Sequence, residues 1–227
     1  MAERREKKAT EKTPRAAAAR RANPLDAPKR RRPKQERSKT TVEQILNAAI
    51  AILERGGFEA ITMLTIAEGA GISIAAVYSY FPNKHHVLAH LARSHLEQRL
   101  ALLDTEFQRL RSHPDWISGY CGVLAELAQL RASQSGSVAL RQAMHASPSL
   151  WEIDQEGNRR ASRLVAALLR DMAGDDGNRE VQGRLIAEFV TAGLDHTQST
   201  GTTDPDAVLR ELTKLTRAYL ETIAGGR

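Results

Sequence analysis

From Thr40 onward, apolar residues return at steps of three and four, and no stretch alternates with a period of two. Steps of three and four keep side chains on one face of a helix, whereas a half-buried strand would show every second residue. The first stripe is Val42, Ile45, Leu46, Ala49, Ile52 and Leu53, capped by Thr40 or Thr41 and stopped by Gly56 and Gly57. A longer stripe runs through Leu88, Ala92, Leu96, Leu100, Leu103, Phe107 and Leu110, starting after Pro82 and Asn83 and ending before His113 and Pro114. Further helices are expected over 115–131, 136–146, 148–172, 178–199 and 205–224. They are separated by a polar stretch at 133–136, by Pro148 in a first turn, and by loops at 174–177 and 201–205. The expectation is an all-α fold of about nine helices.

At 227 residues and 41% hydrophobic content, the chain can bury a real core in one large or two small domains, which argues against disorder throughout. The lone cysteine, Cys121, excludes an intramolecular disulfide framework and a Cys-rich zinc site, and fits a reducing compartment. No run approaches the roughly 18 to 20 apolar residues of a membrane span, and the alanines at 16–19 are too few for a signal peptide. A cytoplasmic protein without a membrane partner is expected. The net charge of +6 is unevenly spread: residues 1–37 hold 14 of the 33 Lys and Arg but only five of the 27 acids. That makes this segment +9 and leaves −3 for everything after it. With Pro14, Pro24, Pro28 and Pro33 and almost no large apolar side chain, residues 1–37 are expected to be a disordered basic tail.

The most specific segment lies between Thr62 and Lys84. Thr62 can cap a short helix whose Ile66, Ala67 and Ala70 face inward; Gly71 allows a tight turn, Ile72 plugs the corner, and Ser73 caps a second short helix. Small residues such as Ala67 and Ala70 let two steeply crossing helices approach closely. This is the grammar of a helix-turn-helix. Phe58, Thr62, Ile66, Ala67, Ala70, Gly71, Ile72, Ser73, Val77, Tyr78, Tyr80, Phe81, Lys84 and Leu88, in this order and spacing, resemble the DNA-binding domain of the tetracycline-repressor (TetR) family of bacterial transcriptional regulators. The resemblance covers roughly residues 40 to 90. Leu64 and Ala75 depart from the family's usual pattern, which often has a polar or basic residue and a glycine there.

The resemblance implies a three-helix DNA-binding domain over 38–84, a helical effector-binding and dimerisation domain over 85–227, and a homodimeric repressor on a palindromic operator. It also implies phosphate contacts from Thr62, Ser73, Tyr78, Tyr80 and Lys84, base-edge approach by Thr65, Ile74, Ala75 and Ala76, and a DNA-facing Lys39. Phosphate contacts set register, and the apolar start of the second short helix restricts direct readout there to groups such as thymine methyls. Residues 38–84 carry three basic and four acidic side chains, so the electrostatic footprint of a DNA-binding protein is missing from the motif. Arg30, Arg31, Arg32 and Lys34 can supply it by tracking the backbone or entering the adjacent minor groove. Deleting residues 1–35 is therefore expected to weaken operator binding and flatten its salt dependence; an unchanged salt slope in a folded protein would contradict this role for the tail.

Elsewhere the chemistry is thin. His86 and His90 are four apart but lack the glutamate of a zinc-protease motif, Cys121 lies in an apolar stretch, and no catalytic triad or carboxylate pair is legible. No enzyme activity, metal or cofactor is expected. Trp116, Tyr120 and Leu124 fall on one helical face and, with Met144 and Trp151, can wall an apolar effector pocket or simply build core. Arg141 and His145 are candidate polar anchors for an unidentified small molecule. Wide apolar faces around Leu185 and Phe189, and around Leu212 and Tyr219, suggest a homodimer seam. Two other readings stay open at this point: an architectural or scaffold DNA-binding protein, and a family member governed by a protein partner instead of a ligand.

Overall fold

The computed structural model describes residues 32–197 and 204–225, and among them every regular element is helical. Nine α-helices follow in order: α1 Arg32–Gly56, α2 Met63–Ala70, α3 Ile74–Tyr80, α4 Lys84–Leu110, α5 Trp116–Ser133, α6 Ser137–His145, α7 Pro148–Ala173, α8 Arg179–Thr197 and α9 Pro205–Gly225. A single 3-10 turn, Phe58–Ala60, joins α1 to α2.

Of the segment expected to be a disordered basic tail, residues 1–31 lie outside the described residues and 32–37 are helical. α1 begins at Arg32, not at Thr40, so Arg32 and Lys34 belong to a helix, while Arg30 and Arg31 lie outside the described residues. Apolar periodicity cannot see this first part of α1, because it has no apolar stripe. Pro33 nevertheless suits a first turn, and Lys34, Gln35, Glu36 and Arg37 are all good helix formers.

Two apolar clusters organise the chain. In the first, Ile45, Ala49 and Leu53 of α1 meet Ile66 of α2, Val77 of α3 and Leu88 of α4. Leu140, Ala143 and Met144 of α6, with Leu150 and Ile153 of α7, close the same cluster from the far side. In the second, Leu100, Leu103 and Phe107 of α4 pack with α5, α7, α8 and α9. α4 therefore runs through both clusters, with Leu96 packed against each. The division expected near residue 84 is a covalent landmark, but α6 and the start of α7 are packed with the N-terminal helices.

Two glycines set close helix contacts. A Cβ at Gly183 of α8 would lie 2.7 Å from the Ser162 carbonyl oxygen and 2.8 Å from the Ala166 nitrogen of α7. Gly136, at φ 69°, starts α6 in the left-handed region, and a Cβ there would come within 2.9 Å of Ile50 on α1. Among the described residues no helix is long and apolar enough to cross a membrane.

Candidate nucleic-acid interface and effector cavity

The α2–α3 corner is built by side-chain caps. The Thr62 nitrogen donates to Thr65 Oγ1 at 3.0 Å, and the Thr65 nitrogen donates to Thr62 Oγ1 at 3.0 Å, a reciprocal capping box. Gly71, at φ 67° and ψ 29°, ends α2 in the left-handed conformation that lets the chain reverse. Ser73 Oγ accepts from the Ala76 nitrogen at 3.1 Å and starts α3. Val77, fully buried, anchors α3 from beneath, leaving Ile74, Ala75, Tyr78 and Tyr80 exposed on its outer side. Both tyrosines are exposed.

The capping geometry sorts the polar candidates. Ser73 Oγ accepts one hydrogen bond as a cap, a bond that does not use its hydroxyl proton. Thr62 Oγ1 likewise accepts as a cap, and its hydroxyl lies 3.1 Å from Thr65 Oγ1. Thr65 is less free: its hydroxyl proton is taken by the Ala60 or Thr62 carbonyl. Lys84 is turned inward. Its Nζ donates to the Phe58 carbonyl at 3.3 Å and lies 4.2 Å from the centre of the Phe58 ring, which locks the 3-10 turn to α4. Lys39 is exposed on α1, and Ala76 is half-buried. Leu64, notable in the sequence only as a departure, is 55% exposed on α2. Its signal was present: Met63, Ile66 and Ala67 already fill the inward face, leaving Leu64 no room there.

The expected effector residues do not share one cavity. Trp116 and Leu124 are buried in the second apolar cluster, and Tyr120 stacks on Phe107 with ring centres 5.5 Å apart. Trp151 and His145 are exposed and pack on each other at 4.9 Å, outside any interior space. Helical spacing shows which residues share a face, but depth depends on helices that arrive later in the chain. Of the seven, Tyr120 lines an apolar slot whose walls come from α4, α5, α7 and α8 and include Leu100, Leu103, Leu127, Val165, Val190 and Leu194. Arg141 and Met144 line a smaller polar chamber beside it, together with His95 and Gln134.

Arg99 and Arg131 line both spaces and form the partition between them. Arg131, almost fully buried, donates to Asp195 at 2.5 Å. Arg141 pairs with Asp154 and also with Asp195, the latter at 2.5 Å. Three guanidinium groups thus meet two carboxylates. Burial, aided by Arg131 and Arg141, brings the Arg99 pKa down to about 10, and burial with the Arg99 charge brings that of His95 to about 4. Sequence reading missed Arg99, Arg131, Asp154 and Asp195. A partial signal existed, since Asp154 interrupts the inward face formed by Leu150, Ile153 and Gly157.

Residues 45–91 match the family described as "Bacterial regulatory proteins, tetR family", and residues 120–220 match the "Tetracyclin repressor-like, C-terminal domain". The chain belongs to the TetR family. Among relatives, the HTH-type transcriptional repressor KstR of Mycolicibacterium smegmatis is 34% identical over 73 residues, covering 32% of this TetR-family chain and 30% of KstR. The match thus spans under a third of that relative's length. Among solved structures, a TetR-family regulator from Mesorhizobium loti superposes with a TM-score of 0.67 at 18% identity, covering 82% of this chain and 98% of that one. SmeT of Stenotrophomonas maltophilia in complex with triclosan gives a TM-score of 0.61 at 20% identity, with 81% and 90% covered. These superpositions establish a shared fold.

Proposed function

We propose that this TetR-family chain is a cytoplasmic, sequence-specific transcriptional repressor that sits on a palindromic operator as a homodimer and leaves it when a small molecule binds. The observation that carries the reading is the exposed start of α3, where Ser73 presents a hydroxyl proton beside Ile74 and Ala75 while Val77 holds the helix to the core. Ser73, Thr62, Tyr78 and Tyr80 hold phosphates, and Ile74, Ala75 and the Thr65 methyl meet base edges. KstR, to which this chain is similar over 73 residues, is itself named as a repressor.

For the dimer, Val181, Leu185 and Phe189 on α8 and Leu215 and Tyr219 on α9 leave an exposed apolar stripe that a second copy would cover. Leu212 does not belong to it. It is buried in the protomer, where its side chain packs against Gly193. Pairing through α8 and α9 sets the two copies of α3 about one DNA turn, roughly 34 Å, apart.

Release follows from the two apolar clusters. α4 and α6 connect the cavity to the DNA-binding helices: α4 runs through both clusters, and α6 pairs Arg141 with Asp195 while its Leu140, Ala143 and Met144 pack into the first cluster. A ligand that favours a different α4 or α6 position changes the separation of the two α3 helices, by no more than its differential affinity for the two states. The test is selection of genomic fragments on the full chain, followed by footprinting and a light-scattering mass. The expected result is protection of an inverted repeat by a dimer against excess competitor DNA. Uniform protection without sequence preference, or a monomeric mass at micromolar concentration, would overturn the reading.

A further inference from the structure

Arg99 is the unbalanced group of the interior. Its Nε donates to the His95 carbonyl at 3.3 Å, and among the described residues no carboxylate pairs with it. Asp195 is bonded to Arg131 and Arg141, and Asp154 to Arg141 with its Oδ2 unpartnered; both act on Arg99 only through their charge, and two carboxylates leave one positive charge over among three guanidinium groups. His95, the other titratable group at this point, is held neutral above a pKa of about 4 and offers no countercharge. A surplus guanidinium charge taken out of water is costly, and the cost is recovered when an anion arrives.

The shape around Arg99 says what carries that anion. On one side lies the slot, walled by Leu100, Leu103, Leu127, Val165 and Val190; on the other lies the small polar chamber with Gln134 and Arg141. The slot encloses about 570 Å³ counting its mouth. Its walls are mostly apolar and lie close together, which suits an apolar chain.

We infer that the effector is a single-chain anionic amphiphile, an alkanoate-type molecule whose head group pairs with Arg99 at the partition and whose apolar tail fills the slot. This rests on the repressor reading only in calling the ligand an effector; binding itself is measured without DNA. An anion at Arg99 also enters the field of Arg131 and Arg141 and competes with Asp154 and Asp195 for them. That competition loosens the tie between α6 and the α7–α8 pair.

Calorimetry on the full chain with octanoate, dodecanoate and hexadecanoate, each against the alcohol of equal length, tests the inference. On the wild type the acid is expected to bind at least roughly tenfold more tightly than the alcohol. Affinity should rise about threefold to fourfold per added methylene until the slot is full. Arg99→Met is expected to erase the preference for the acid, and Arg99→Lys to retain it, with the thermal melt of each variant reporting that it is folded. Equal binding of acid and alcohol by the wild type, a preference that survives in Arg99→Met, or no binding at any chain length overturns the inference. Operator binding by the ligand-free wild type is measured separately, so loss of the repressor reading leaves the calorimetric result standing.

Discussion

Ala75→Glu is expected to lower operator affinity roughly a hundredfold while leaving the fold intact. Ala75 sits exposed in the first turn of α3, with the buried Val77 anchoring that helix. A glutamate there costs the protein little, because an acid near a helix N-terminus is favoured by the exposed backbone N–H groups. It costs the complex a great deal, since the carboxylate must enter a groove flanked by phosphates and displace the small contact that lets α3 sit close to the bases. A disrupted base position costs about 1–3 kcal/mol, and a palindrome read by two copies doubles it to about 2–6 kcal/mol, so a hundredfold loss, about 2.8 kcal/mol, falls in the lower part of that range. Fluorescence anisotropy with the selected operator at fixed salt measures this, with the thermal melt as the control for folding. Wild-type affinity in the variant would place α3 outside the groove.

The second large effect is on stability. Gly183→Ala adds one methyl group where α8 crosses α7, and the atoms it meets are the Ser162 carbonyl oxygen at 2.7 Å and the Ala166 nitrogen at 2.8 Å. Backbone cannot rotate away as a long side chain can, so the two helices must separate and the packing of Val165, Ile186 and Val190 in the second apolar cluster loosens with them. Against this, alanine gains about 1 kcal/mol of helix propensity over glycine. Overpacking of this kind outweighs it, for a net destabilisation of about 2 kcal/mol or more, and a fall in Tm of roughly 4–8 °C. Gly122→Ala is the matched control: that glycine is exposed within α5, with nothing within 4 Å of an added Cβ, so its Tm should hold or rise slightly. A Gly183→Ala protein that melts with the wild type would show that α7 and α8 have slack at this crossing.

The two predictions differ in how far the sequence could have reached them. The α2–α3 corner was legible because each of its determinants is local: Thr62 and Ser73 cap within three residues, and Gly71 needs only its own φ. The same locality explains what was misjudged in α1, whose start at Arg32 depends on helix propensity and Pro33 without any apolar stripe to announce it. Gly183 is invisible in sequence, since a glycine inside α8 looks like a weak spot until α7 is laid across it. Lys84 is an intermediate case. Its place at the start of α4 was readable, but not that its Nζ would turn back onto Phe58.

By itself, the sequence determined the helical class, the corner that presents α3, and the separation of a basic N-terminal segment from a slightly acidic remainder, because periodicity, caps and charge are properties of short stretches. Only the tertiary structure decided which faces became interior. It buried Trp116, Leu124 and Leu212, turned Trp151 and His145 to the surface, and brought Arg99, Arg131, Arg141, Asp154 and Asp195 from five distant points of the chain to one partition. The physical reason is that burial and charge balance are set by the neighbours a residue acquires on folding. An arginine on α4 is left one carboxylate short only after α5, α6, α7 and α8 have closed around it.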